Sequence, residues 1–302
     1  LTDVKNLGAI QPLNLLQLGA WMLEHGIEVS LLDANALELT LPQALKKARD
    51  YDFDFVCFTV TNLDYLFAIE WNRGFDREFG KPILVGGAGV EAYPEDVAAD
   101  PAITTAFHSP AEACLVEWLA AYVTGADWWT VRGTCSVHEG RLHSNPPATL
   151  PKDFSRPHPA RQLVDSSLYF TFLSGNRVFT SAMSIIGCPY PCSFCAERRR
   201  PTHIRTAEDV VDEMEVCEKE FGITEIDYFD AGFTMSRDRT FQIAEIYKQR
   251  RLRIQWSARV RIDKVDPEQL AAMASINCRW LGYGIESRSE EHTSELQSHL
   301  NL

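Results

Sequence analysis

Two stretches of alternating strand and helix patterns, separated by a proline-dense break, predict an α/β protein in two parts, each organised on a parallel sheet. Three observations carry that expectation. Short apolar runs alternate with helix-length amphipathic segments from residue 15 to 123 and again from 178 to 285. Glycines stand directly after strand-like runs, as Gly86-Gly87 and as Gly187. Pro146, Pro147, Pro151, Pro157 and Pro159 crowd the stretch between the two series.

Taken in order, Leu15 to His25 places Leu15, Leu18, Met22 and Leu23 at helical spacing, and Gly26 is positioned to end that helix. Ile27 to Asp33 reads as a strand with an acidic tip, followed by a helix from Leu41 to Arg49. The series continues with strand Phe53 to Val60, helix Leu63 to Phe79, strand Pro82 to Val85 and the turn Gly86-Gly87-Ala88-Gly89. A short helix near Pro94 to Ala99, strand Ile103 to Phe107 and helix Pro110 to Val123 complete a first domain over residues 1–125.

Residues 126–170 break the pattern. Trp128 to Val137 with Arg141 to His143 suggests a small hairpin, and the prolines mark a connector that loses little entropy on ordering. The second series, residues 171–287, starts with the apolar run Val178 to Ile186. Helix Arg205 to Phe221 follows, with Thr206 as its expected cap and Glu208 and Asp209 in its first turn. Strand Glu225 to Phe229, helix Asp238 to Arg250, strand Arg253 to Ala258, helix Pro267 to Ala274 and strand Arg279 to Ile285 then give four strands and three crossovers.

Composition narrows the function. The chain has 302 residues, 45% hydrophobic and 24% charged, which suits a globular protein with room for two domains. No apolar run reaches the length of a membrane span, and no secretory signal pattern opens the sequence. Eight cysteines, three of them clustered, fit a reducing, cytoplasmic setting. A formal charge of −13 argues against nucleic acid as a partner, although Arg198 to Arg200 offers a local anion patch or simply a solvated turn. No GxGxxG or GxxxxGK[ST] is present to hold a dinucleotide or a nucleoside triphosphate.

The chemistry concentrates in Cys188-Pro189-Tyr190-Pro191-Cys192-Ser193-Phe194-Cys195, a loop immediately after a strand. Thiolates are soft ligands for iron–sulfur clusters, Zn²⁺ or Cu⁺, and CxxxCxxC lets three sulfurs serve one centre while a fourth position stays free. No cysteine or histidine follows at a short fixed distance to close a zinc tetrahedron, His203 being the nearest candidate. Zinc and unliganded cysteines remain the alternatives at this level.

CxxxCxxC with an aromatic residue before its last cysteine resembles the radical S-adenosylmethionine (SAM) enzymes. That resemblance implies a [4Fe-4S] cluster on Cys188, Cys192 and Cys195, with SAM chelated at the free iron and Phe194 near its adenine. It implies a partial (β/α)₆ barrel, truncated here after its first four strands. Asp230 at the second strand tip, Arg261 after the third and Glu286 in Gly284-Ile285-Glu286-Ser287 would then line the SAM site.

Residues 1–125 resemble the Rossmann-like (flavodoxin-like) cobalamin-binding domain of the B12-binding radical SAM proteins. The matching pieces are Pro12 to Leu16, Gly26 to Val29, Asp33 to Asn35, Thr59 to Thr61 and Val85 to Gly87. Thr59, Thr61, Gly86 and Gly87 would meet cobalamin. There is no DxHxxG to supply a lower cobalt ligand, and His108 reads as a solvated loop histidine. The N-terminus reads as truncated, lacking the family's first strand.

The resemblance implies reductive cleavage of SAM, with methyl transfer, rearrangement or cyclisation on an unknown small molecule. An electron donor such as flavodoxin or ferredoxin would be the protein partner. A radical SAM enzyme without cobalamin, or a structural or redox metal protein, is the alternative. Residues 288–302 look like translated sequencing adaptor with no evolved role, and a chain ending there is expected to hold a cluster poorly.

Overall fold

A computed structural model describes residues 8–150, 156–171, 178–195 and 197–285. The chain folds as two compact units, residues 14–163 and residues 1–13 with 164–302. The first described strand, β1 (Gly8–Ala9), belongs with the second of these.

The 14–163 unit contains most of α1 (Leu13–Glu24), then α2 (Leu41–Ala48), β2 (Val56–Thr59), α3 (Tyr65–Phe79), β3 (Ile83–Gly86), α4 (Ala88–Ala92) and α5 (Pro94–Ala98). It continues with β4 (Thr105–Phe107), α6 (Leu115–Thr124), β5 (Thr134–His138) and β6 (Arg141–Ser144). The sheet order is β2-β3-β4-β5-β6, parallel across the first three strands and antiparallel across the rest.

The two-residue side-chain period of β3 is visible in its packing. Ile83 and Val85 join Ala68, Ile69 and Phe75 of α3, Val90 of α4 and Val97 of α5 on one face. Leu84 points the other way, into Met22 of α1 and Leu115 and Trp118 of α6. Helices therefore cover both faces, as the unbroken apolar runs predicted.

Two expectations are corrected in this unit. The hairpin expected inside a connector is β5 and β6, which extend the sheet, so the unit runs to residue 163 instead of 125. Ile27 to Asp33, expected as a strand, forms no ladder among the described residues. Its side chains still alternate, Ile27 and Val29 packing with one apolar cluster and Leu32 with the other. The strand pattern is present, and among the described residues the hydrogen-bonded neighbour is not.

The other unit carries β7 (Phe170–Thr171), which pairs antiparallel with β1. It then builds β8 (Phe179–Ala182), β9 (Ile185–Ile186), β10 (His203–Ile204), α7 (Ala207–Lys219), β11 (Glu225–Tyr228), α8 (Arg237–Gln249), β12 (Gln255–Val260), α9 (Pro267–Ala274) and β13 (Cys278–Tyr283). Strands β8, β11, β12 and β13 lie side by side, all parallel, joined by the three helices in turn. The helix starts are sequence-encoded: Thr206, Ser236 and Asp266 each accept a backbone N–H of their helix's first turn.

One face of this sheet is apolar. Ala182, Ile226, Tyr228, Trp256, Ala258 and Val260 pack with Val210 and Met214 of α7, Ile243 and Tyr247 of α8 and Met273 of α9. The alternate positions of the same strands are polar: Ser181, Asp227, Ser257 and Arg259. The single strand expected from Val178 to Ile186 is two pieces, β8 and β9, divided at Met183-Ser184.

Candidate active site

The cysteine loop leaves β8 at the C-terminal end of the four-stranded sheet. Its two ends are held together by β9 and β10, where Ile186 pairs with His203 and Ile185 with Ile204. Gly187 starts the loop with φ of 76°, and a Cβ there would stand 2.0 Å from the carbonyl oxygen of Pro201. Only glycine meets both conditions. Inside the loop, Cys195 N–H donates to the Cys192 carbonyl at 3.2 Å and Arg199 N–H to the Tyr190 carbonyl at 3.0 Å.

Cys188 and Cys192 are buried and Cys195 is half-buried. Burial pushes the Cys188 thiol up, a hydrogen bond from the Tyr190 backbone opposes this, and the neighbouring Cys192 and Cys195 sulfurs push it further up. No group of three or more His, Cys, Asp or Glu among the described residues converges on a single metal ion. The donor set, three cysteine thiols on one loop, is chemically that of an iron–sulfur cluster. The residues fit such a group.

Behind the loop is a buried polar network. Asp230, 2% exposed, follows β11 and accepts from Ser184 N–H at 2.6 Å, from Ile185 N–H at 3.0 Å and from the Ser184 hydroxyl. Burial raises its pKa, against the pull of those donors and of Arg239. Arg239, in the first turn of α8, donates to the carbonyls of Arg205 at 2.7 Å, Phe233 at 3.3 Å and Ser184 at 3.4 Å. Arg205 in turn reaches the Met183 carbonyl at 3.0 Å and pairs with Asp209 and the fully buried Glu213.

Both carboxylate oxygens of Asp230 are therefore engaged by the chain segment leading into the cysteines. The side chain of Asp230, expected beside SAM, is enclosed and turned toward Ser184 and Ile185.

Arg261, 8% exposed, follows β12. Its Nε donates to Asp263 Oδ1 at 2.9 Å and its Nη2 to Asp263 Oδ2 at 3.1 Å, a two-pronged pair. Its Nη1 lies 3.4 Å from the Cys192 sulfur, and its guanidinium carbon stands 4.0 Å over the Tyr190 ring. Phe194 is 55% exposed, with its ring free of the core. Glu286 lies outside the described residues.

Sequence reasoning passed over Ser184, Arg239 and Tyr190, and also the polar face of the sheet. There Asp227 accepts from Ser257 Oγ at 2.9 Å and pairs with Arg259 Nη1 at 2.6 Å, while Arg259 covers the Phe229 ring at 3.8 Å. The signal for that face was the strict alternation Trp256-Ser257-Ala258-Arg259-Val260.

In the 14–163 unit, the four other expected residues gather at the C-terminal ends of β2 and β3. Thr59 Oγ1 accepts from Asn14 at 2.7 Å, and Thr61 N–H and Oγ1 donate to Asp64 at 2.8 and 2.7 Å. Val60 N–H donates to Gly86 O at 2.8 Å, and Gly89 N–H to Val60 O at 3.0 Å. Gly87 has φ of 110°, and a Cβ would meet the Val60 carbonyl oxygen at 2.7 Å. Leu63, Leu66 and Phe67 stand exposed just beyond. His108 is not the solvated residue expected, since its Nε2 is enclosed without a hydrogen-bond partner among the described residues.

The site thus consists of four parallel strands with a three-cysteine loop after the first and an acidic and a basic residue after the next two. Residues 184–300 match the Radical SAM superfamily, and the chain contains a radical SAM domain. It is 26% identical over 288 residues to an uncharacterized methyltransferase of Pyrococcus horikoshii, covering 92% of this chain and 61% of that protein. It is 25% identical over 248 residues to the anaerobic magnesium-protoporphyrin IX monomethyl ester cyclase of Rubrivivax gelatinosus, covering 79% of this chain and 44% of that one.

Among solved structures, the fold matches OxsB, a cobalamin-dependent SAM radical enzyme with aqua-cobalamin and SAM bound, at a TM-score of 0.80 and 19% identity. That match covers 98% of this chain and 44% of OxsB. It also matches the radical SAM methyltransferase TsrM from Kitasatospora setae, with tryptophan substrate and a SAM analog bound, at 0.78 and 20% identity. That match covers 97% of this chain and 61% of TsrM. The chain thus spans between 44% and 61% of the length of these four proteins.

Proposed function

We propose that this chain is part of a cobalamin-dependent radical SAM enzyme, a methyltransferase or cyclase acting on a small molecule. The observation that carries the reading is the placement of Cys188, Cys192 and Cys195 on one braced loop at the sheet's C-terminal end, beside Arg261. When bound, the [4Fe-4S] cluster and SAM would supply the electron and the adenosyl radical chemistry.

The chain's own residues have separable tasks in this reading. The three cysteines hold the cluster. Asp230, Ser184 and Arg239 fix the backbone entering the loop. Arg261 retains two N–H groups beyond the three engaged here, available to an anionic part of SAM. The exposed Phe194 ring offers a stacking surface for adenine. Glu286 is assigned to the SAM site on sequence alone.

For the 14–163 unit we favour a Rossmann-like cobalamin-binding domain. The support is that Thr59, Thr61, Gly86 and Gly87 meet at strand C-terminal ends, where open α/β sheets bind ligands, with backbone accessible at the glycines. Exposed Leu63, Leu66 and Phe67 suit a large flat apolar ligand. An electron donor such as flavodoxin or ferredoxin would complete the system. Among the described residues no helix is long and apolar enough to cross a membrane.

The test is anaerobic reconstitution of the full-length protein with iron and sulfide, with and without hydroxocobalamin. Iron and sulfide uptake, formation of 5'-deoxyadenosine or S-adenosylhomocysteine from SAM, and corrin absorption retained through gel filtration are expected. Zinc as the bound metal with intact SAM refutes the enzyme reading. A loaded cluster with no retained corrin refutes the cobalamin part.

A further inference from the structure

Arg261 is held on three sides. Asp263 grips two of its nitrogens and so fixes the guanidinium plane, and the Tyr190 ring covers one face at 4.0 Å. The nitrogen left over, Nη1, is 3.4 Å from the Cys192 sulfur, 69 residues away in sequence. A side chain with this many constraints has little freedom to choose another partner for Nη1, and at 8% exposure water competes weakly for it.

We propose that Arg261 is a positioning residue for Cys192, donating an N–H···S hydrogen bond to the ligand sulfur and thereby raising the reduction potential of the cluster. This rests on the reading that the three cysteines carry a [4Fe-4S] cluster. The physical reason is that reduction adds negative charge, part of which resides on the thiolates. A donor fixed at one sulfur stabilises the reduced form more than the oxidised form, and hydrogen bonds to sulfur are among the factors that set such potentials. Asp263 cancels much of the arginine's net charge, so the directed bond carries the effect rather than a general positive field.

Tyr190 is part of the device. It lies between Cys188 and Cys192 in sequence and donates its backbone N–H toward Cys188 while its ring supports Arg261. One residue thereby links the environments of two ligand sulfurs.

The test compares full-length wild type with Arg261→Met and Arg261→Gln, each reconstituted anaerobically. Iron and sulfide content, far-UV circular dichroism and an EPR-monitored redox titration without SAM are measured. The expected result is clusters in both variants with midpoint potentials shifted to more negative values, Met further than Gln because Gln keeps an N–H. Folded variants that fail to retain iron also support the positioning role. Loaded variants with unchanged midpoints overturn the proposal, as does loss of fold in both, which would assign Arg261 to stability alone. A wild-type protein that takes up no iron and sulfide would instead overturn the cluster reading beneath it.

Discussion

Replacing Asp230 by alanine tests how the cysteine loop is held. The substitution strips the acceptor from two backbone N–H groups and one hydroxyl, all buried. An orphaned buried donor costs about 1–3 kcal/mol, and three donors lose their acceptor here. These losses overlap, because water can enter the space the side chain vacates. A net destabilisation of about 3–5 kcal/mol is therefore expected for Asp230→Ala, and about half of that for Asp230→Asn, whose amide oxygen still accepts. Urea unfolding is followed by tryptophan fluorescence in a background where the tryptophans of the 14–163 unit are replaced by phenylalanine, so that Trp256, buried in the core of the other unit, reports. If Asp230→Ala unfolds within about 1 kcal/mol of wild type, the network does not brace the loop as described.

Two further predictions test other parts of the molecule. Gly87→Ala, which forces a left-handed φ and a contact with the Val60 carbonyl, should cost about 1–3 kcal/mol in a thermal melt; a wild-type melt refutes the strain. Asp266 caps α9, and the backbone N–H of Gln269 together with Arg237 holds its pKa below the usual carboxylate range. A depressed folded pKa means its contribution is complete above pH about 4 and fades as pH falls further. Asp266→Ala should therefore destabilise near neutrality and flatten the acid limb of a stability-against-pH curve; an unchanged acid limb refutes the cap's charge contribution.

The cysteine loop and the strand–helix alternation were legible because both are local. Thiol spacing, the cap at Thr206 and the stop at Gly187 can each be read within a few residues. What escaped the sequence depends on distant partners. Val178 to Ile186 reads as one apolar strand, and it divides at Ser184 because Asp230, 46 residues later, draws that backbone away from the ladder. Ile27 to Asp33 has the alternation of a strand, yet a ladder requires a neighbour, and hydrophobic pattern reports only which faces are buried. Arg261 was readable as a charge near the site but not as a partner of sulfur, because its direction is set by Asp263 and Tyr190 together.

Arg239 belongs to the opening turn of α8, and through it three loop carbonyls are tied to a helix. The thiols thus inherit the stiffness of regular secondary structure although they occupy an irregular segment. On gradual heating, loosening of that first turn should release iron before the sheet itself melts. Loss of the chromophore would then serve as an early reporter of helix fraying.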